Sequence, residues 1–210
     1  MNYVLVSIGT IPDYIRNSIN SILTVDKDAK IYLCTDQKIK FQNIKIIDLK
    51  EIVSDQTIKI KENDIFKGTI FEGNPLWSTS LLRIFYLRDA QKNLNLKNVI
   101  HFDNDILIYK SYEELKDFFE PSSFSITPSS RNRLIFGYSF IPTFEILNNL
   151  CNSLDNKIQE GIKKDWGFNN FIPPNEMDLL GMIYKENNLL FNLLPTLPYD
   201  SSVIFDPLSY

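Results

Sequence analysis

Short apolar runs closed by polar turns alternate along this chain with longer segments of helical period. Residues 3–8 form an apolar run that ends at Gly9-Thr10, the pattern of a buried strand followed by a loop. Pro12 and Asp13 then open a helix in which Ile15, Ile19 and Ile22 recur at i, i+4 and i+7 on one face. Residues 30–34 read as a second buried strand ending at Thr35-Asp36, and residues 43–49 as a third. Residues 76–91 predict a helix with Trp77, Leu81, Leu82 and Phe85 toward the core. Residues 99–102 are a strand running straight into Asp103-Asn104-Asp105, after which a further apolar run covers residues 106–109.

The second half is less regular. Residues 124–127 and 138–141 read as strands around a polar loop that carries Arg131 and Arg133, for which solvent exposure is the default. Residues 144–162 predict a helix, and residues 163–174 a loop with Trp166 and Phe168. Asn175 caps a helix reaching about residue 188, and residues 190–194 form one more strand. Strand alternating with helix implies an α/β, Rossmann-like fold, with a mostly parallel central sheet flanked by helices. In such sheets ligands bind beyond the carboxyl ends of the strands. Gly9-Thr10, Thr35-Asp36 and Asp103-Asn104-Asp105 all fall at such ends and are expected to converge on one site. A single catalytic domain is expected over residues 1–210, and the abrupt stop at Tyr210 is compatible with a further C-terminal piece.

Composition narrows the classes. Apolar residues make up 44% and charged residues 23%, the balance of a soluble globular protein. The net charge of -4 with no basic run disfavours a nucleic-acid partner. No stretch approaches the roughly 20 apolar residues of a membrane span, and no signal peptide is readable at the N-terminus. Cys34 and Cys151 lack metal-ligand spacing and read as two buried free thiols, which fits a cytoplasmic location.

The chemistry concentrates in residues 101–108, His-Phe-Asp-Asn-Asp-Ile-Leu-Ile. Asp103 and Asp105 stand between two apolar runs, and in an extended chain i and i+2 point to the same side. Two carboxylates held together repel unless a cation or protons neutralise them. A hard divalent ion does so, and Mg2+ or Mn2+ would keep positions free for phosphate oxygens. The competing reading is a polar turn, which Asp and Asn favour.

Residues 81–87, Leu-Leu-Arg-Ile-Phe-Tyr-Leu, followed by the strand ending in Asp103-Asn104-Asp105, resemble the core of GT-A glycosyltransferases. The resemblance is greatest to the glycogenin-like and lipopolysaccharide galactosyl- or glucosyltransferase group, family 8. It spans residues 3–185 loosely and residues 76–110 closely. It implies that Asp103 and Asp105 bind Mn2+ or Mg2+ against the diphosphate of a nucleotide sugar, with Asn104 beside them. By the same resemblance Ile8, Gly9, Thr10 and Asp13 meet the nucleotide, Asp36 approaches the base, and Arg83 lies near the donor phosphates and sugar. Glu176 and Asp178 would face the transferred sugar as the catalytic acids. Each has a plainer reading. Asp13 is a good helix N-cap, Asp36 a turn residue, Arg83 a surface partner for Asp89 or another nearby carboxylate, and Glu176 and Asp178 first-turn acids favoured by the helix dipole. Trp77 is read as core, and Trp166 as a residue able to stack on a sugar.

The sequence departs from the family in two places. Gly137-Tyr138-Ser139-Phe140 is the nearest match to its Asn-Ser-Gly segment, and its C-terminal third metal ligand, commonly His, has no clear counterpart. His101 would share a face with Asp103 but suits local packing or hydrogen bonding better, and Asp206 is an alternative ligand.

The expected reaction moves a sugar from a nucleotide diphosphate sugar, UDP-sugar favoured, to a hydroxyl of a glycan, lipid or protein acceptor, as in polysaccharide biosynthesis. The alternatives are a catalytically degenerate sugar- or nucleotide-binding scaffold, or a nucleotidyltransferase that makes the activated sugar. The nucleotidyltransferase is disfavoured because Gly9 stands alone, with no Lys or Arg before Arg16 to hold a triphosphate. A P-loop kinase lacks its Gly-x-x-x-x-Gly-Lys run, and a glycoside hydrolase needs two separated carboxylates.

Overall fold

The computed structural model describes residues 1–163, 174–197 and 202–205. In chain order the elements are β1 (Asn2–Ser7), α1 (Ile15–Val25), β2 (Lys30–Thr35), β3 (Lys45–Asp48), α2 (Leu49–Ile52), α3 (Asp55–Glu62) and α4 (Pro75–Asn93). There follow β4 (Val99–Phe102), α5 (Tyr112–Leu115), β5 (Phe124–Ser130), β6 (Arg133–Ile141), α6 (Phe144–Lys163), α7 (Glu176–Glu186) and β7 (Phe191–Leu193). The strands form one seven-stranded sheet in the order β3-β2-β1-β4-β6-β5-β7. β3, β2, β1 and β4 run parallel, β6 is antiparallel to β4 and β5, and β5 and β7 are parallel to each other. The mostly parallel Rossmann-like α/β reading therefore holds, with β6 as the reversal.

Period-two alternation makes β1 the central divider. Val4 and Val6 pack on one face with α4, α6 and α7, while Tyr3 and Leu5 pack on the other with Ile15, Ile19 and Ile22 of α1. Both faces are covered, which is why parallel strands read as continuous apolar runs. Helix α4 departs from the one-sided amphipathic expectation. Its second half, from Leu81 to Gln91, is buried on nearly every side, and it packs against α2, α3, α6, α7, β1 and β2. Trp77, expected in the core, is only half-buried and stacks on Phe71 at 4.3 Å.

Burying α4 takes an ion pair out of water with it. Arg88 and Asp89 are 4% and 1% exposed, with Nη2 and Oδ1 2.7 Å apart. Asp89 Oδ2 accepts from the Ser54 N–H at 3.0 Å and from the Thr57 hydroxyl at 2.5 Å, so the pair also fixes the start of α3. Asp89 is thus the partner of Arg88 and not of Arg83.

The helix expected from Pro12 begins at Ile15 instead. Tyr14 is its N-cap, without a side-chain hydrogen bond, and Asp13 is exposed in the preceding turn. The polar loop expected between β5 and β6 is reduced to a tight turn, with both strands extended into it, and Arg133 lies on β6. The apolar run of residues 106–109 forms no strand. Cys34 and Cys151 are free and buried. No helix among the described residues is long and apolar enough to cross a membrane. The expected loop of residues 163–174, with Trp166 and Phe168, and the alternative ligand Asp206 lie outside the described residues apart from its two ends.

Candidate active site

The parallel strands β1, β2 and β4 end on the same edge of the sheet, and their following loops meet there. The Gly9 N–H donates to Asp36 Oδ1 at 2.9 Å, tying the loop after β1 to the loop after β2. Gly9 holds φ at +79°, a conformation that favours glycine. The Asn104 side-chain amide donates to the Val6 carbonyl at 3.1 Å, and the Ser18 hydroxyl donates to the Asn104 carbonyl at 2.6 Å. These bonds fasten the loop after β4 to β1 and α1.

Asp103 and Asp105 are not consecutive same-side residues of a strand, as the extended reading had them. The Ile106 N–H reaches the Asp103 carbonyl at 3.0 Å, so residues 103–106 form a β-turn. The turn leaves Asp105 exposed and Asp103 half-buried. It still places both carboxylates on one cleft of about 310 Å3. Ile8 and Thr10 line the cleft from the first loop, Tyr14 from the entry to α1, and Arg83 from α4. Gly9, Asp36 and Asp13 do not line it, although Ile8, Thr10, Pro12 and Tyr14 do. Leu76, Thr79 and Ser80 also line the cleft and were not singled out from the sequence. With Arg83 they occupy i, i+3, i+4 and i+7 of α4, a spacing that would have identified them as one helix face.

Arg83 joins two acids from different elements. Its Nη1 pairs with Asp103 Oδ1, and its Nη2 lies 3.6 Å from Glu176 Oε1. The guanidinium carbon stands 5.6 Å from the centre of the Phe136 ring, which backs it. Glu176 is 4% exposed and accepts the Phe136 N–H at 3.1 Å. Burial raises its pKa above the ordinary carboxylate value, and the Arg83 charge and the Phe136 N–H offset part of that rise. Glu176 is therefore more than a first-turn acid: it braces both Arg83 and β6.

Asp178 is differently engaged. It completes a capping box with Asn175, each side chain accepting the other's backbone N–H at 3.2 Å. Its Oδ1 also pairs with Arg133 Nε at 2.8 Å, so Arg133 has a specific partner. Gly137, from the segment that departs from the family pattern, accepts the Asp103 N–H at 2.8 Å and thereby adjoins the acidic turn.

His101 shares the cleft wall but is anchored inward. Its Nδ1 is 2.7 Å from the Val4 carbonyl, which can only accept, so Nδ1 carries the proton. Burial and the nearby Arg83 charge push its pKa down to about 3.

The donor set bears on metal binding. No group of three or more His, Cys, Asp or Glu among the described residues could hold a metal ion by itself. Asp103 and Asp105 offer carboxylate oxygens from one turn, and Asp103 already has a cationic partner in Arg83. Such a set suits a hard ion that draws its remaining ligands from phosphate oxygens and water, the usual habit of Mg2+.

Similarity to known proteins is structural. No protein-family model matches the sequence, and no curated protein matches it. Among solved structures, mouse xyloside xylosyltransferase 1 in its apo form matches at 15% identity, covering 93% of this chain and 86% of that one, with a TM-score of 0.58. The galactosyltransferase LgtC, in complex with donor and acceptor sugar analogs, matches at 13% identity over 93% of this chain and 74% of that one, also with a TM-score of 0.58. The PaToxG glycosyltransferase matches at 16% identity over 89% of this chain and 68% of that one, with a TM-score of 0.56. The chain has the GT-A fold.

Proposed function

We propose that this GT-A chain transfers a glycosyl group from a nucleotide diphosphate sugar, with UDP-sugar as the favoured donor, to an acceptor hydroxyl. The observation that carries this reading is the acidic turn of Asp103, Asn104 and Asp105, lining one cleft at the carboxyl edge of the sheet together with Arg83, which pairs with Asp103. The fold shared with glycosyltransferases supports it.

In this reading Asp103 and Asp105 hold Mn2+ or Mg2+ jointly with the donor. When bound, the ion acts as a Lewis acid that neutralises charge on the departing diphosphate. Ile8 and Thr10 border the nucleotide with Gly9 between them, Asp13 follows on the same loop, and Asp36 orients the loop that receives the base. Asn104 fixes the turn through its bond to Val6. Arg83 supplies positive charge to the donor's phosphates and sugar, where it counts most as negative charge develops. Glu176 positions Arg83. Asp178 faces the transferred sugar, and its carboxylate is half-exposed despite its capping role.

The test is a thermal-shift panel of UDP-, GDP- and CMP-sugars with and without Mn2+, followed by hydrolysis assays of any donor that binds. A UDP-sugar should stabilise the wild type only with metal, and Asp103→Asn should abolish the effect while keeping the wild-type melting temperature within a few degrees. Donor binding that chelator leaves unchanged would refute the metal-dependent reading. No stabilisation by any donor would refute transfer from a nucleotide sugar.

A further inference from the structure

A second cavity opens on the other side of α4, between that helix, α3 and the connection joining them. Its volume is about 390 Å3, within the range of about 300–1,000 Å3 typical of small-molecule sites. Its apolar wall includes Ile60, Ile65, Phe66, Leu81, Leu82 and Ile158. Ile8 and Thr79 line both this cavity and the cleft, so the two are neighbours across a single residue layer. Helix α4 thus presents Leu76, Ser80 and Arg83 to the cleft, and Pro75, Ser78 and Leu82 to the second cavity.

Several polar atoms in the wall are already engaged. Asp64 Oδ1 accepts the Phe66 N–H at 3.1 Å and the Ser78 hydroxyl at 3.2 Å. Asn74 Oδ1 accepts the Leu76 N–H at 3.0 Å, and the Thr79 hydroxyl donates to the Leu76 carbonyl at 3.2 Å. Lys61 and Asn63 are exposed at the rim. A nucleobase or sugar seated here would lose hydrogen bonds to water and find few replacements, which disfavours it. An uncharged alkyl or aryl group loses nothing and gains burial.

We infer that this cavity binds an uncharged apolar group, the alkyl or aryl end of the acceptor whose hydroxyl reaches the adjoining cleft. The acceptor assignment rests on the glycosyl-transfer reading, whereas the apolar binding site does not. It makes the favoured acceptor an amphiphile such as a glycolipid or an aryl glycoside.

Saturation-transfer NMR on the full chain tests this with n-octyl β-D-glucopyranoside, below its micelle-forming concentration, against methyl β-D-glucopyranoside. The octyl compound should bind at least about tenfold more tightly, the gain expected from burying two or more methylenes, with saturation concentrated on its alkyl chain. Ser78→Trp, which fills the cavity, should remove that advantage and leave UDP binding in the presence of Mn2+ unchanged. Asn63→Trp at the exposed rim should act likewise, and serves if the first variant does not fold. Equal binding of the two glycosides, or octyl binding that the folded variants retain, overturns the inference. Displacement of the octyl compound by UDP also overturns it, because the cavity would then belong to the donor. If UDP fails to bind while octyl binding depends on Ser78 or Asn63, the apolar site stands and transfer from a UDP-sugar falls.

Discussion

His101 should make the fold sensitive to mild acid by a calculable amount. The side chain is 1% exposed, its Nδ1–H is committed to the Val4 carbonyl, and its Nε2 is buried without a hydrogen-bond partner. Its pKa in the fold is about 3, against about 6.5 in an unfolded chain. A histidine pKa depressed by folding leaves stability at its full value above the unfolded pKa and lowers it progressively as pH falls from there toward the folded pKa. At pH 7.5 the imidazole is neutral in both states and the effect is nearly zero. At pH 5 the unfolded chain binds a proton that the folded chain cannot, which costs the fold about 2 kcal/mol. His101→Asn keeps a side-chain N–H donor near the Val4 carbonyl and removes the titration. Urea denaturation of both proteins at pH 7.5 and pH 5 isolates the contribution of this one imidazole. The wild type should lose about 2 kcal/mol more than the variant over this interval. Because the chain contains 1 histidine, a single imidazole resonance reports its state directly. Titration of that resonance between pH 7.5 and pH 5 in the folded protein, or equal losses in the two proteins, would refute the argument.

Three further outcomes follow from other contacts. Asp89→Ala should destabilise by about 3–5 kcal/mol in urea denaturation, because it strands the buried Arg88 charge; a loss below about 1 kcal/mol would mean that water reaches the pair. Gly181→Ala should destabilise by about 2 kcal/mol, about 3 for driving a methyl into the β5–β6 turn less about 1 from helix propensity. Its Cβ would overlap the Asn132 carbonyl oxygen and lie 2.6 Å from that carbonyl's carbon, and an unchanged melting temperature would contradict the prediction. Arg83→Met should tighten Mn2+ binding without nucleotide by about tenfold, measured by electron paramagnetic resonance, since it removes a cation already paired with Asp103; weaker or equal binding would show that Arg83 does not compete for that carboxylate.

Local pattern made much of this protein legible. The apolar runs at β1, β2 and β4 and the helical period of α1 and α4 follow from burial with a fixed repeat, which side-chain identity alone reveals. That the loops after β1, β2 and β4 meet at one edge was readable because parallel connections return each strand's carboxyl end there, but Gly9 and Asp36 bond to each other and do not line the cleft with the acidic turn. Side-chain partners across elements were not readable. That Arg83 pairs with Asp103 and Glu176, and Asp89 with Ser54 and Thr57, depends on how α4 is rotated between the sheet and α6. Neighbouring arginines on a helix buried nearly all round carry no sequence mark of which direction each faces. Asp13 failed as a cap because the chain after Pro12 turns once more before its helical hydrogen bonds begin at Ile15. Asp103 and Asp105 kept their shared cleft but by a β-turn and not by strand alternation, since β4 pairs with its neighbours only through Phe102. Sequence alone determined the layers, the edge and the acidic turn that lies there. The tertiary structure decided which charges touch and where the second cavity opens, because those depend on rotations and separations of packed elements that no local periodicity encodes.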